Sequence, residues 1–177
     1  MKASRLRLNP TKTQVMWLGS PQQLAKVNVS EVPMALARIN VSETARNLGA
    51  MVDRQLTLSA QMAAVCHSGY YQLWQLRPLV RSMSSDAVKI LVQAFISCRL
   101  DYCNSLFYGI TDGLMSWLQY VCTELRGWFP ALDAVTITPV LQELHWLPVR
   151  RRVVFKMAIL VYLSLSGMAP AYLAADC

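Results

Sequence analysis

The sequence holds 177 residues, of which 54% are hydrophobic and only 15% charged, with 17 Lys and Arg against 10 Asp and Glu for a net charge of +7. That length suits one domain, or one plus a small appendage, and is enough to bury a real core. Near the end, Met157 to Ala169 is free of charge, a run of about 13 residues against the ~20 that a bilayer requires, so a buried helix is expected there rather than a membrane span.

The low charge has two readings. Part of the apolar surface faces something outside this sequence, such as the rest of a larger protein, or the chain is a compact helical domain with a greasy surface. Arginines dominate the basic side, and the guanidinium fork suits phosphate contact. A basic balance favours nucleic acid or an anionic surface without choosing between them. The five cysteines (Cys66, Cys98, Cys103, Cys122 and Cys177) contain no CxxC pair. Met1 to Asn9 carries Lys2, Arg5 and Arg7 with no apolar block behind them, so no secretory leader is expected. Reduced thiols in an intracellular protein are the simplest reading, and no zinc site is expected.

In chain order, Asn9-Pro10 marks a turn, and Gln14 to Leu18 then reads as a short buried strand closed by Gly19-Ser20-Pro21. Val27–Val32 and Ala37–Val41 carry partial alternation and suit a hairpin or two edge strands. The Arg46-Asn47-Leu48-Gly49 segment follows, where Gly49 permits a tight backbone or a close approach. From Thr57 the pattern turns helical. Thr57 or Ser59 caps a helix to about Arg81, with Met62, Val65, Cys66, Tyr70, Leu73 and Leu76 on one stripe and Pro78 kinking or ending it. Ser84 or Ser85 caps a second helix, with Val88, Leu91, Val92, Phe95 and Ile96 inward. Thr111 caps a third, containing Leu114, Trp117, Leu118 and Val121. Thr138-Pro139 opens another, as does Pro148 for a helix through Val153, Phe155, Leu160 and Tyr162, with Gly167 as its C-cap. Pro170 begins a last short turn. The fold class expected is α+β, mainly α: short N-terminal antiparallel strands followed by a helical bundle.

Catalytic signatures are sparse. Metal-dependent nucleotidyl transfer needs converging carboxylates, yet no two acidic residues are adjacent anywhere in the sequence. Most acids sit at expected caps or turns, and Asp101 is expected to pair with a nearby arginine. His67 and His145 are the only histidines, and His145, beside Trp146, reads as a packed core residue rather than a general base. Neither a nucleophile elbow nor a glycine-rich phosphate loop is present. The basic residues are more informative. Arg5, Arg7 and Lys12 cluster at the start, and Arg46 and Arg54 flank the Asn-Leu-Gly turn. Arg150, Arg151 and Arg152 form a dense run at a helix start, where a solvated face is the ordinary reading and a nearby anion the other.

Several segments together resemble the reverse transcriptase of non-LTR (LINE-type) retrotransposons, most like jockey-type elements and their relatives. Arg5–Gly19 (RLRLNPTKTQVMWLG) resembles the segment after the active-site hairpin. Arg46–Asp53 (RNLGAMVD) resembles the primer-grip hairpin, and Val65–Arg81 the long helix beyond it. Ala94–Gly109 (AFISCRLDYCNSLFYG), Leu144–Val149 (LHWLPV) and Phe155–Tyr172 resemble the thumb and connector. Each match is weak alone, but they occur in the family's order over nearly the whole chain. The resemblance implies a palm remnant with a primer-grip-like hairpin at 1–54, thumb-like helices at 55–130 and connector helices at 131–177. It implies a role in holding primer–template behind the active site, with Lys12, Arg46, Asn47, Leu48, Gly49 and Arg54 as the nucleic-acid-binding residues. Lys12 matches the motif lysine placed near the incoming nucleotide in related polymerases. The fingers, the nucleotide-binding palm strands and the paired-aspartate hairpin lie outside this sequence. No catalytic residue, no metal ligand and no cofactor is therefore expected in it, and the segment is expected to be inactive alone. The partners implied are primer–template nucleic acid and the missing palm and fingers, with no membrane and no small-molecule substrate. A non-enzymatic helical interaction module, or an unstable remnant, is the alternative. The family's usual Asn-Ala-Ala-Arg run is absent, and Cys122–Pro130 (CTELRGWFP) stands in its place. Its glycine and proline are expected to shorten the third helix.

Overall fold

The computed structural model describes residues 9–34, 37–129 and 136–175. Arg5, Arg7, Pro130, Asp133, Asp176 and Cys177 lie outside the described residues. The fold is α+β and mainly helical, with two short antiparallel strand pairs preceding the helical bundle. The chain divides into two compact units, Met1–Gln61 and Met62–Cys177.

In the first unit, Asn9 organises the opening turn. Its Oδ1 accepts from Thr11 N–H at 3.0 Å and from Thr11 Oγ1 at 2.7 Å, which tightens the 3-10 turn Pro10–Lys12. Ser20 and Gln23 form a reciprocal capping box around the single-turn helix α1 (Pro21–Leu24). Strands β1 (Glu31–Met34) and β2 (Ala37–Asn40) make a hairpin with Val32 opposite Ile39. β2 lies within the expected Ala37–Val41, whereas β1 overlaps only the end of the expected Val27–Val32 and runs two residues past it. Ile39 is buried, and Glu31 pairs with Arg38 across the exposed face.

Strands β3 (Thr44–Asn47) and β4 (Ala50–Asp53) make a second hairpin. Asn47 faces Ala50, so Leu48 and Gly49 alone form the turn. Both have positive φ, 47° and 89°, the type I′ geometry whose twist matches that of the flanking strands.

The expected buried strand at Gln14–Leu18 is not formed. Only Val15 bridges, in parallel, to Val41, while Trp17 is 41% and Leu18 58% exposed. The reason is local. The outward N–H of Arg46, which a third strand would engage, is taken by the Gln14 side chain at 2.9 Å. The ladder therefore has no donor there with which to continue.

The second unit is a helical bundle. Helix α2 (Ser59–Val80) begins at the expected cap region and contains Pro78, ending two residues beyond it. Helix α3 (Ser85–Val92) is capped by Ser84, whose Oγ accepts from Ala87 N–H. A π-helical turn, Gln93–Ser97, leads from α3 into α4 (Cys98–Asp101). Helix α5 (Asp112–Thr123) gives way to a 3-10 segment, Glu124–Trp128, that carries Gly127, so the helix stops where the glycine-containing stretch was expected to shorten it. Helices α6 (Thr138–Glu143), α7 (Val149–Leu165) and α8 (Ala171–Ala174) complete the unit.

One core joins these helices, from Met62, Val92, Ile96, Leu100 and Phe107 through Leu118, Val121 and Leu125 to Val140 and Val153. Two expected inward residues face out. Tyr70 is 43% exposed because the adjacent Gly69 takes the contact with α5: a Cβ there would lie 2.7 Å from Val121 Cγ1. Phe95 is also largely exposed, because the π-helical turn rotates the stripe. The charge-free part of α7 departs further from expectation. Tyr162 and Leu165 are 63% and 71% exposed, as is Phe155 at 58% just ahead of the run, so this run is not a buried helix. Only its first turns, through Val149 and Val153, reach the core. No helix among the described residues is long and apolar enough to cross a membrane.

Candidate nucleic-acid interface

The residues matching the primer-grip motif sit on the second hairpin. Arg46 and Asn47 end β3, Leu48 and Gly49 make the turn, and all four are exposed. Leu48, at φ 47°, is 86% exposed. The left-handed region strains a leucine, whereas asparagine is the residue this position of a type I′ turn prefers. The exposed apolar side chain at the tip is therefore not explained by local folding.

Side chains brace both edges of this hairpin. On one, Gln14 Oε1 accepts from Arg46 N–H; on the other, the buried Gln61 accepts from Met51 N–H at 2.7 Å. These are the outward-pointing donors of one cross-strand pair, Arg46 and Met51. Two glutamines thus hold a two-stranded ribbon that would be marginal by itself.

Past β4, Asp53 anchors the exit. Its Oδ1 accepts from Gln55 N–H at 3.1 Å and Thr57 N–H at 2.9 Å, and its Oδ2 from Thr57 Oγ1 at 3.0 Å. Partial burial works to raise its pKa, but the hydrogen bonds from Thr57 and Gln55 outweigh it and hold the carboxyl below its ordinary 3.8. Arg54 is tied back to the loop before β3: its N–H donates to Glu43 O at 3.1 Å and its guanidinium pairs with Glu43 at 3.4 Å. Lys12 is exposed at the end of the 3-10 turn, which packs against β2, and Gln14 two residues later contacts β3. The first unit therefore carries all six residues singled out in the sequence. Arg46, Asn47, Leu48 and Gly49 share one ribbon end, Arg54 lies at its base, and Lys12 lies on a separate exposed turn. Gln14 and Gln61, which position the ribbon, carry no sequence signal, since a bracing glutamine is recognised only when its partner is known.

The arginine run at the start of α7 separates into different environments. Arg152 is largely buried. It donates to Asp101 at 2.7 Å and lies 5.1 Å from the Trp146 ring centroid. Asp101 also accepts from Ser97 Oγ and from Asn104 Nδ2, so it does pair with an arginine, though one distant in sequence. Arg150 pairs with the exposed Asp112, and Arg151 is exposed. His145 is exposed at φ 54° rather than packed in the core, because it lies in the sharp turn between α6 and α7.

Burial pushes the Cys66 and Cys122 thiols up to about 11, which leaves both poor nucleophiles at neutral pH. Among the described residues, no group of three His, Cys, Asp or Glu side chains converges as a metal site. No family model, no curated protein and no solved structure matches this chain.

Proposed function

We propose that this chain is part of a non-LTR retrotransposon reverse transcriptase, the end of the palm with thumb and connector, that lacks the catalytic aspartates and binds primer–template without extending it. The observation that carries this reading is the braced type I′ hairpin, with Arg46 beside an exposed Leu48 that local folding does not explain. The ordered series of motifs supports it from the sequence side. In this reading Arg46 and Lys12 meet backbone phosphates, and Leu48 supplies an apolar contact to the nucleic acid at the tip. Arg54 serves less directly, its guanidinium shared with Glu43.

The test is fluorescence anisotropy of a labelled primer–template duplex titrated with the full chain at two salt concentrations. Binding should weaken with salt, and Arg46→Ala should weaken it further while reducing the salt slope by about 0.9, the loss of one phosphate contact. A folded, monomeric chain that shows no binding at low salt overturns the reading. Primer extension with magnesium or manganese should stay at the level of a no-protein control.

One observation favours the alternative of a non-enzymatic helical interaction module. Helix α7 exposes Phe155, Tyr162 and Leu165, and an exposed apolar patch is ordinarily covered by something. Self-association by light scattering, together with absent duplex binding, would favour that alternative.

A further inference from the structure

Helix α2 carries a second basic and aromatic face, within the helical unit. Tyr70, Trp74 and Arg77 follow one another at spacings of four and three, so they share a stripe, and Arg81 follows in the turn just past the helix end. The core stripe of the same helix, Met62, Val65, Cys66, Leu73 and Leu76, is buried. Trp74 is 71% exposed, an unusual position for the largest apolar side chain unless something covers it.

The indole lines two concavities. One, of about 270 Å³, lies between α2 and the 3-10 segment Glu124–Trp128 and is lined by Tyr70, Trp74, Arg77, Glu124, Arg126 and Trp128 among others. The other, of about 350 Å³, is formed by Trp74, Gln75, Arg77, Pro78 and Arg81. Both are near the lower end of the volume range of ligand pockets, which suits single nucleotide units better than a large ligand. Arg77 lines both concavities, and Arg81 extends the positive charge along the second. Glu124 is the carboxylate of the first groove. It accepts hydrogen bonds from exocyclic amines or sugar hydroxyls, while Arg77 and Arg126 share its groove and the second concavity holds arginines without a carboxylate, so phosphates are favoured on the Arg77–Arg81 side. Exposed indole for stacking beside arginines for the backbone is the combination by which proteins hold unpaired strands.

We propose that this face binds single-stranded nucleic acid, with a base stacked on Trp74 and the flanking phosphates held by Arg77 and Arg81. The site is separate from the hairpin's, since none of its residues belongs to the hairpin unit.

The experiment titrates fluorescein-labelled oligothymidylate and oligouridylate, each about 12 nucleotides long, with the full chain. Trp74→Ala should raise Kd roughly tenfold. Trp74→Phe, which keeps an aromatic face, should recover most of the affinity. Arg77→Ala should reduce the salt slope by about 0.7, the single-strand value for one phosphate. Trp117→Phe, at an exposed tryptophan on α5, should leave binding unchanged. Tighter binding of one oligonucleotide identifies RNA or DNA as the ligand, and either result supports the site. A folded wild-type chain that binds neither oligonucleotide at low salt overturns the proposal, as does a Trp74→Ala chain that binds as tightly as wild type.

Discussion

Asp53 shows how one side chain can close the hairpin unit. Three hydrogen bonds from Gln55 and Thr57 converge on its carboxylate, and the folded state holds it below the ordinary 3.8. A carboxylate depressed in this way stabilises the fold above its unfolded pKa, and that contribution fades as pH falls through the lower folded value. At pH 7, Asp53→Ala should therefore lower stability by about 1 kcal/mol, and the gap from wild type should shrink below about pH 4 in urea titrations. A gap independent of pH would refute this role for the ionised form. Leu48 presents the opposite case, a residue strained by its own backbone at φ 47°. Leu48→Asn should raise thermal stability, by about 0.5–1 kcal/mol, because asparagine tolerates the left-handed region. Under the polymerase reading the same change should weaken duplex binding, so stability and binding should move in opposite directions.

At the scale of elements, the contact of α2 with α5 depends on Gly69. A Cβ at that position meets Val121 Cγ1 at 2.7 Å, and Val121 is fully buried, so the neighbour has no free volume into which to move. Gly69→Ala gains about 1 kcal/mol in helix propensity but loses roughly 1–3 kcal/mol to overpacking, and net destabilisation is expected. Chemical denaturation measures the sum. The double variant Gly69→Ala with Val121→Ala should show favourable coupling, because the second change makes room for the first. This contact also accounts for the outward turn of Tyr70, which the 3- and 4-residue spacing had placed inward. Periodicity assigns a stripe but does not detect that a residue without a side chain can be its closest point. The starts of α2 and α3 and the end of α5 were legible because Ser, Thr, Pro and Gly act within a turn of their own position. Gln14–Leu18 was not, since an apolar run forms a strand only where a neighbour offers free donors, and here the Gln14 side chain takes the one from Arg46.

At the scale of the whole molecule, Arg152 and Asp101 join segments 51 residues apart. The pair ties α4 to α7 within the helical unit, together with Ser97, Asn104 and Trp146. Arg152→Met should cost about 2 kcal/mol, below the full value for a deeply buried pair because Asp101 keeps 39% of its side chain exposed. Arg150→Ala should cost less than about 0.5 kcal/mol, since both it and Asp112 are mostly in solvent. Equal losses for the two variants, measured by urea unfolding, would refute this assignment. In the sequence these arginines are near neighbours with no feature to tell them apart.

Local order alone pointed to helices after residue 57, to a hairpin or two edge strands within Val27–Val41, to a tight backbone or close approach at Gly49 and to a basic, arginine-rich chain without adjacent carboxylates, while the hairpin at Arg46–Asp53 was expected only from the resemblance. Caps, periodicity and composition act over a few residues, so the linear text carries them. Which arginine is buried, which glutamines brace the hairpin and which face of α2 holds Trp74 in solvent depend on residues tens of positions away. Those partners meet only when the chain packs, because burial and hydrogen bonding are properties of proximity in space rather than of order along the chain.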